Sequence, residues 1–470
     1  MEKNVDVAII GAGSAGLFAL SEVKKVTQNF VLIDPGPYGS TCARTGCMPS
    51  KVLIQVANDY HSRHKLQVQG ILGSDKLTAD LPQVLNYVRK MRDHFVSYLL
   101  KKIDENKDHL ISERAEFLGP NLLKAGPYLI QAKKIIIATG SRPKLDPEWK
   151  SFGQQILTSE TLFELVDFPK SIALLGVGVI GAELGQAMSR LGVKVTGFSM
   201  TSAIGSLSDP VVQKVALEIF SADFPLHIGS DAKISREKGL LSVSTDKQSS
   251  KVEAVLASTG RIPNLDCMGI EHTGAKLNKK GVPEFDPQSM KLTGLPIFIA
   301  GDADADKSVL PETMDEGYIA GYNSVREVTS FNRRTRLNIA FTAPNIATVG
   351  MSFEELEGRE FAIGEVSFND QGRSVIKQEN KGHLRVYADK KTGLLLGAEM
   401  IAPDGEHLAH LLALAIQRKL TVFEFLKAPF YHPVIEQGLK TALKDLADKI
   451  NPNAAAMFLE IIGPFDHSIK

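Results

Sequence analysis

Cysteine is scarce in this sequence, whose 470 residues include only three. So few cysteines exclude a scaffold held together by disulfides, which small secreted domains use in place of a large core. We therefore expect the chain in the reducing cytoplasm, where a cysteine pair is more often catalytic than structural. Two of the three, Cys42 and Cys47, stand close together in one segment.

Net charge and long apolar runs are also missing. Lys plus Arg and Asp plus Glu each number 54, so neither nucleic acid nor an anionic membrane is expected as a partner. No run approaches the roughly 20 apolar residues of a membrane span. We expect no signal peptide, because Val5–Ile10 predicts a strand that runs straight into a glycine loop. No metal-ligand pattern stands out, and no metal site is predicted.

The segment that begins at Val5 has the pattern of a βαβ unit that binds a dinucleotide. Val5–Ile10 and Phe30–Ile33 predict buried strands, and Ala15–Val26 predicts the helix between them. Glycines follow the first strand at Gly11, Gly13 and Gly16. The first permits a tight turn, the second lets the backbone approach a pyrophosphate, and the third lets helix and strand pack closely. Asp34 then stands where it can accept a hydrogen bond from a ribose hydroxyl.

The same plan recurs in the middle of the chain. Ser171–Leu175 and Val193–Phe198 predict strands, and Ile180–Arg190 predicts the intervening helix. The glycines of this second loop are Gly176, Gly178 and Gly181. One such motif is weak evidence, whereas two, each between a strand and a helix, predict two dinucleotide sites.

Three further predicted strands end in small or polar residues. Ile135–Ala138 leads into Thr139-Gly140, Val255–Ser258 into Thr259-Gly260, and Ile297–Ala300 into Gly301-Asp302. A carboxylate at the carboxyl edge of a parallel sheet suits a ligand hydroxyl, although Asp302 alone also fits a turn. The chain is long enough for about three domains. We predict an α/β fold with two Rossmann-like dinucleotide-binding domains, residues 1–145 with 266–335 and residues 146–265, and a C-terminal α+β domain, residues 336–470.

The cysteine segment runs from Gly39 to Lys51. A continuous helix would point Cys42 and Cys47 to different faces, since each residue advances by about 100°, and a disulfide needs Cα atoms within roughly 7 Å. A bridge therefore requires a distorted loop, which Gly46 permits. Pro49 suits the first turn of a following helix, where Cys47 would favour the thiolate. We interpret the pair as redox-active; the alternative is two buried, reduced cysteines.

In this order the motifs resemble those of the FAD-dependent pyridine nucleotide–disulfide oxidoreductases, most closely the dihydrolipoamide dehydrogenases. The resemblance covers nearly the whole chain. Beyond the glycine loops and the cysteine segment, it includes Ala138-Thr139-Gly140, Thr259–Asn264, Ala300-Gly301-Asp302, Phe341–Pro344 with Val349-Gly350, and His432-Pro433. Each motif is modest alone, whereas their ordered combination is specific.

The resemblance implies two cofactor sites. For FAD it implies Gly11, Gly13, Gly16, Asp34, Thr41, Lys51, Thr139, Gly140, Gly301 and Asp302. For the nicotinamide nucleotide it implies Gly176, Gly178, Gly181, Ser199, Gly260 and Arg261. The three predicted domains then become the FAD-binding, NAD(P)-binding and dimerisation domains.

The resemblance also implies catalytic roles. Cys42 would exchange with the substrate and Cys47 would face the flavin, while Lys51 and Glu183 would form an ion pair near it. An exposed surface pair is the alternative for these two residues. Relatives are homodimers, in which the partner subunit's His432 would serve Cys42. The implied reaction converts dihydrolipoamide and NAD⁺ to lipoamide and NADH, with a 2-oxoacid dehydrogenase complex as a candidate partner.

Four positions depart from the family pattern, and the first lies at the predicted ribose site. Asp34 lies 18 residues after Gly16, and the same offset from Gly181 reaches Ser199. NAD enzymes usually carry an acid there and NADP enzymes carry nearby arginines; this neutral site leaves NADP open, and the overall resemblance favours NAD.

The second departure concerns the histidine. Relatives commonly place a glutamate five residues after it, where this chain has Gln437. Glu436 stands one helical step away and is expected to miss the imidazole. Gln437 can hold the tautomer but cannot stabilise an imidazolium by charge. Inside the cysteine segment, Arg44 and Thr45 are also unusual; Arg44 either acts on the thiolate or substrate access, or is solvent-exposed.

Rival functions stay open at this point. The nearest is an NADPH-dependent reductase of glutathione or another small disulfide. A mercuric reductase is disfavoured because the final residues contain no cysteine pair, and a transhydrogenase is disfavoured by the intact Cys42 and Cys47. A different class is a flavoprotein interaction subunit or redox sensor with little turnover.

Overall fold

The computed structural model describes residues 1–452. The first stretch contains β1 (Glu2–Ile10), α1 (Ser14–Val23), β2 (Phe30–Ile33), α2 (Thr41–Thr45), α3 (Cys47–His61), α4 (Arg63–Val68), α5 (Leu81–Asp104), β3 (Leu110–Ile111), β4 (Ala115–Gly119), β5 (Leu122–Ala125), β6 (Tyr128–Ile137) and β7 (Ser141–Pro143). The apolar runs of β1, β2 and β6 pair in parallel and are buried at their carboxyl ends. This arrangement places the residues after each strand at one edge of the sheet.

The middle stretch builds a second parallel sheet. Its elements are β8 (Ile156–Leu157), α6 (Ser159–Leu162), β9 (Ser171–Leu175), α7 (Val179–Arg190), β10 (Lys194–Ser199), α8 (Pro210–Asp223), β11 (Leu226–Ile228), β12 (Lys233–Glu237), β13 (Leu240–Ser244), β14 (Ser249–Val252), β15 (Ala254–Ala257) and β16 (Arg261–Pro263). The strand order is β11-β10-β9-β15-β8, and β12 to β14 form a separate antiparallel sheet. Four of the five residues of β9 are buried, because the neighbouring strands and helices cover both of its faces.

The chain then returns to the first sheet before it forms a third. The remaining elements are β17 (Phe285–Asp286), β18 (Lys291–Leu292), β19 (Ile297–Ile299), α9 (Leu310–Ser324), β20 (Leu337–Ala340), β21 (Asn345–Gly350), β22 (Phe361–Ser367), α10 (Gly372–Ile376), β23 (His383–Asp389), β24 (Leu395–Ala402), α11 (Gly405–Gln417), α12 (Val422–Phe425) and α13 (Glu436–Ile450). The first sheet has the order β17-β18-β19-β6-β1-β2-β3, so it joins strands from both ends of a discontinuous unit. The third sheet is antiparallel, in the order β20-β21-β24-β23-β22.

The predicted α/β class with two Rossmann-like units and an α+β unit is confirmed. The strands Phe30–Ile33 and Ser171–Leu175 have their predicted bounds, whereas α1 ends at Val23, three residues early. The chain leaves the first sheet for the second through β7 and returns through β16, and these two strands pair with each other. The domain limits themselves stay a prediction, and residues 453–470 of the predicted last domain lie outside the described residues. None of the helices in residues 1–452 is long and apolar enough to cross a membrane.

Candidate active site

Two glycines of the first loop have no room for a side chain, and the other one faces open space. A Cβ on Gly11 would stand 2.2 Å from the carbonyl oxygen of Ala138, and one on Gly16 would stand 1.8 Å from that of Gly11. A Cβ on Gly13 would meet nothing within 4 Å. The first and third glycines are therefore needed for close packing, and the second leaves space above the helix N-terminus, where a phosphate group would bind.

The second loop repeats this division. A Cβ on Gly176 would stand 2.5 Å from the Ser258 carbonyl oxygen, and one on Gly181 would stand 2.0 Å from that of Gly176. Gly178 again faces open space. The predicted duplication of the nucleotide-binding plan is thus present in backbone geometry as well as in sequence.

At the carboxyl edge of the first sheet, one buried hydroxyl lacks a hydrogen-bond partner and the backbone beside it faces open space, an arrangement that fits a flavin nucleotide. The Thr139 hydroxyl is buried and has no hydrogen-bond partner within residues 1–452. Gly140 beside it faces open space. One oxygen of Asp34 accepts from the Ala12 N–H at 2.6 Å and the other from the Gly36 N–H at 2.7 Å, which holds this carboxylate at the loop. The residues present therefore suit FAD, and the individual cofactor contacts stay predictions.

Asp302 has protein partners that the sequence did not reveal. The Ser141 hydroxyl donates to it at 2.6 Å, and Arg261 donates to that same hydroxyl at 2.7 Å. The Arg261 Nε also lies 3.8 Å from the Asp302 carboxylate. The guanidinium predicted to bind the nicotinamide nucleotide thus lies against the first sheet's edge, where it orients Asp302. Ser141 directly follows Thr139-Gly140, which is the only sequence signal that pointed to it.

The cysteine segment departs from a helix at one residue. Cys42 lies in α2, Cys47 begins α3, and Gly46 between them has φ −121° and ψ −112°. A Cβ on Gly46 would stand 3.3 Å from the Cys42 Cα. Both cysteines are free thiols in the structure. The predicted distorted loop is therefore confined to Gly46, and the helix with Pro49 in its first turn begins at Cys47, as predicted.

The two thiols differ in acidity because they interact with each other. The hydrogen bond between them lowers the pKa of Cys47 below its usual range, and the nearby Lys51 ammonium lowers it further. The same hydrogen bond, together with burial, raises the pKa of Cys42. Cys47 is thus the more acidic thiol of the pair. Arg44 is not among the groups that shift either thiol's pKa, and its guanidinium donates to the Pro37 carbonyl oxygen at 3.1 Å.

Lys51 and Glu183 form the predicted ion pair. The Lys51 Nζ lies 2.8 and 2.9 Å from the two carboxylate oxygens, and the Glu183 side chain is 3% exposed. Glu183 also accepts from the Phe341 N–H at 2.8 Å. The alternative of an exposed surface pair is therefore wrong. This buried carboxylate fixes the lysine in the region of Cys47 and joins α3, α7 and the third unit.

The histidine near the C-terminus has the partner that its spacing predicted. The His432 Nδ1 lies 2.9 Å from the Gln437 Oε1, and Glu436 is not its hydrogen-bond partner. The His432 ring is exposed, and within residues 1–452 no hydrogen bond joins it to either cysteine. An amide oxygen at Nδ1 holds the tautomer that leaves Nε2 free to accept a proton.

Gln437→Glu is expected to shift the acidic limb of the pH–rate profile. A carboxylate at this position would stabilise the imidazolium by charge, so His432 would hold its proton to higher pH and the acidic limb of kcat/KM would move to higher pH. The pH–rate profile with a dithiol substrate measures the shift, and Glu436→Gln is the matched control. An unchanged profile in Gln437→Glu would show that the amide does not tune this base.

The end of β10, where the ribose is predicted to bind, carries no charged side chain. The Ser199 hydroxyl lies 3.3 Å from that of Thr201, and Met200 between them is exposed. Neither a carboxylate nor a guanidinium stands among residues 199–202. Among the described residues no group of His, Cys, Asp and Glu side chains is arranged to hold a metal ion.

Comparison with known protein families decides the relationship. The family model for pyridine nucleotide-disulphide oxidoreductases matches residues 5–321, and its dimerisation domain matches residues 338–443. The chain belongs to this family. It is therefore an FAD-binding oxidoreductase that acts on sulfur groups with NAD(P), and the matched dimerisation domain implies a homodimer.

Similar curated proteins agree with this membership at low identity. Dihydrolipoyl dehydrogenases of Haloferax volcanii and Bacillus subtilis are 28% and 27% identical, over 94% and 93% of this chain and 96% and 97% of theirs. Among solved structures, the HOCl-induced flavoprotein disulfide reductase RclA from Escherichia coli, in its Cu(II) complex, has a TM-score of 0.82 at 21% identity over 94% of this chain and 99% of its own. LpdA from Mycobacterium tuberculosis has 0.81 at 23%, with the same coverage. These two likenesses establish the fold.

Proposed function

We propose that this family member is a dihydrolipoamide dehydrogenase that transfers electrons from a lipoyl dithiol to NAD⁺. The observation that carries the proposal is the asymmetric thiol pair: Cys47 lies near the buried Lys51–Glu183 pair with a lowered pKa, and the pKa of Cys42 is raised. A pair with one thiolate and one thiol suits exchange with a second dithiol. The matched curated dehydrogenases support the same substrate class.

The chain's own residues would perform the exchange steps. In the oxidised enzyme, a substrate thiolate attacks Cys42, the Cys42–Cys47 bond breaks, and Cys47 leaves as the thiolate that Lys51 favours. The partner subunit's His432 accepts the proton of the second substrate thiol, which attacks the mixed disulfide and releases Cys42 with the substrate as a cyclic disulfide. Bound FAD would supply the conversion of the dithiol's electron pair into a hydride for the nicotinamide.

One observation favours a second candidate, a reductase of a small disulfide that uses NADPH. The neutral ribose position at Ser199 has no carboxylate to repel a 2′-phosphate. The electron flow would then run from the nucleotide to the substrate through the same cysteines. We place the enzyme in the cytoplasm as a homodimer and propose a 2-oxoacid dehydrogenase complex as its candidate partner.

A steady-state matrix tests the two candidates. NAD⁺ with dihydrolipoamide is compared with NADPH with glutathione disulfide and other small disulfides, and kcat/KM is measured for each pair. We expect the dihydrolipoamide reaction to dominate. Activity with NADPH alone and none with dihydrolipoamide would overturn the proposal. A yellow protein that gives no turnover in any arm would favour an interaction subunit or sensor.

Ser199→Glu is expected to sharpen the nucleotide preference. A carboxylate at this position would accept hydrogen bonds from the ribose of NAD and repel the 2′-phosphate of NADP. We expect the ratio of kcat/KM for NADH over NADPH to rise by roughly tenfold or more, which corresponds to one favourable or repulsive charged contact. The exposed neighbour Met200→Glu is the control for added surface charge. If this ratio rises equally in both variants, or does not rise in Ser199→Glu, the ribose binds elsewhere.

A further inference from the structure

The loop between β10 and α8 is fixed at both ends. It starts after Ser199 at the predicted ribose position and ends at Asp209, the residue before α8. Within the loop, the Gly205 N–H donates to the carbonyl oxygen of Val177 at 2.9 Å. Val177 lies between two glycines of the second loop. The segment 200–209 is therefore held directly against the glycine loop of the second sheet.

The far end of this segment is anchored in the third unit by Glu399. This residue lies on β24 and is fully buried. It accepts the backbone N–H groups of Ser208 at 2.7 Å, Asp209 at 2.8 Å and Phe353 at 2.8 Å, and it also accepts the Ser208 hydroxyl. In the described part of the chain, its hydrogen bonds therefore come from uncharged donors, and three of the four come from the loop. A buried carboxylate whose lone pairs are satisfied in this way holds a backbone firmly.

Asp209 makes the reciprocal contact. It is also fully buried, and its carboxylate accepts from Arg385 at 2.8 Å and from the Tyr387 hydroxyl at 2.8 Å, both on β23. It accepts the Val211 N–H at 2.9 Å as well, so it caps α8. Two adjacent strands of the third sheet thus hold one short end of the loop through two buried carboxylates.

We propose that Asp209 and Glu399 are positioning residues for the nicotinamide nucleotide, although their partners belong to the third unit. By holding residues 200–209 against the second glycine loop, they order the ribose side of the site before the nucleotide arrives. Ordering a loop in advance lowers the entropic cost of binding. The inference rests on the proposed function only in assigning this glycine loop to the nicotinamide nucleotide.

The test measures nucleotide binding separately from thiol chemistry. Asp209→Asn and Glu399→Gln are made in the FAD-loaded enzyme, and calorimetry gives Kd for NAD⁺ and for NADP⁺, which do not react with the oxidised flavin. Kinetics with ferricyanide, which needs no dithiol, give KM and kcat for the nucleotide. We expect Kd and KM for the better nucleotide to rise roughly tenfold, the effect of one lost charged hydrogen bond, while kcat changes by less than about twofold. Anaerobic flavin reduction by dihydrolipoamide is expected to be unchanged.

Glu365→Gln is the matched control. Its carboxylate lies 3.1 Å from Arg385 Nε, is 40% exposed and has no contact with the loop. We expect this variant to bind the nucleotide as the parent enzyme does. If Kd rises equally in this control, the change in binding comes from disturbing Arg385 and not from releasing the loop, and the proposal is overturned.

Two further outcomes are decisive. If Asp209→Asn and Glu399→Gln bind both nucleotides as tightly as the parent, or if nucleotide binding and flavin reduction fall together, the residues serve only domain packing. Should either variant fail to fold, Ser208→Ala removes one donor to Glu399 and is expected to raise Kd by roughly threefold; unchanged binding would contradict the inference. Calorimetry and ferricyanide reduction do not involve a dithiol, so this test stays valid even if dihydrolipoamide is not the substrate. A parent enzyme that binds no nucleotide would instead overturn the proposed function itself.

Discussion

Cys42→Ser is expected to abolish dithiol oxidation while the NADH-dependent reduction of ferricyanide continues. Serine cannot form the mixed disulfide, so turnover with dihydrolipoamide should fall below about one thousandth of the parent value. Cys47→Ser should lose the same activity, because the internal disulfide can no longer form. Cys267→Ser is the matched control, since this third cysteine is exposed and lies outside the site.

The spectra of the two variants are expected to differ. Cys47 is the more acidic thiol of the pair, and in Cys42→Ser it should give long-wavelength charge-transfer absorbance with the bound flavin, whereas Cys47→Ser should lack this band. Because the hydrogen bond from Cys42 and the Lys51 ammonium lower the pKa of Cys47, the band in the reduced parent enzyme should persist as the pH falls through the usual thiol range near ~8.5 and fade only at lower pH. A band that survives in Cys47→Ser, or dithiol turnover that survives in Cys42→Ser, would reverse or remove these roles.

Hybrid dimers of Cys42→Ser and His432→Gln subunits are expected to regain activity that neither parent variant has. Loss of the base alone should lower dithiol turnover by roughly 10² to 10⁴-fold. If each site combines one subunit's cysteines with the partner subunit's His432, a hybrid has one complete site and should show about half of the wild-type activity per dimer. Co-expression with two different affinity tags allows the hybrid to be isolated and assayed.

The control for this experiment uses residues of the same chain. A hybrid of Cys42→Ser and Cys47→Ser should stay inactive, because both cysteines of a site come from one subunit. If the Cys42→Ser and His432→Gln hybrid is also inactive, the histidine serves the cysteines of its own chain or neither. The exposed position of His432, which has Gln437 as its hydrogen-bond partner, is the structural reason to expect the shared arrangement.

Much of the fold follows from local sequence patterns. The strands Phe30–Ile33 and Ser171–Leu175 were predictable because buried parallel strands are short continuous apolar runs. The glycine roles were predictable because Gly11 and Gly16 stand where any Cβ would collide with backbone. The antiparallel sheet of β12 to β14 was not predicted, because its strands are short and only partly buried.

The site was predictable residue by residue but not in its contacts. The spacing of five residues predicted the His432–Gln437 contact, because both lie within one short stretch near the start of α13. The Ser141–Asp302 bond joins residues 161 positions apart, and the Ser208–Glu399 bond joins residues 191 positions apart. No local pattern reports on such pairs, because chain folding alone brings them together. Arg261 shows the consequence, since its motif predicted a nucleotide contact and its guanidinium lies against Ser141.

By itself, the sequence determined which residue types are available for the chemistry: two cysteines on either side of a glycine, two glycine loops after strands, and a histidine followed by a glutamine. The tertiary structure alone decided that a hydrogen bond from Cys42 and the Lys51 ammonium lower the pKa of Cys47, that the Glu183 carboxylate is buried against Lys51, and that the loop after Ser199 is held by Glu399. The physical reason is that acidity and ion pairing depend on separation and solvent exposure. Both quantities are set by packing between distant parts of the chain.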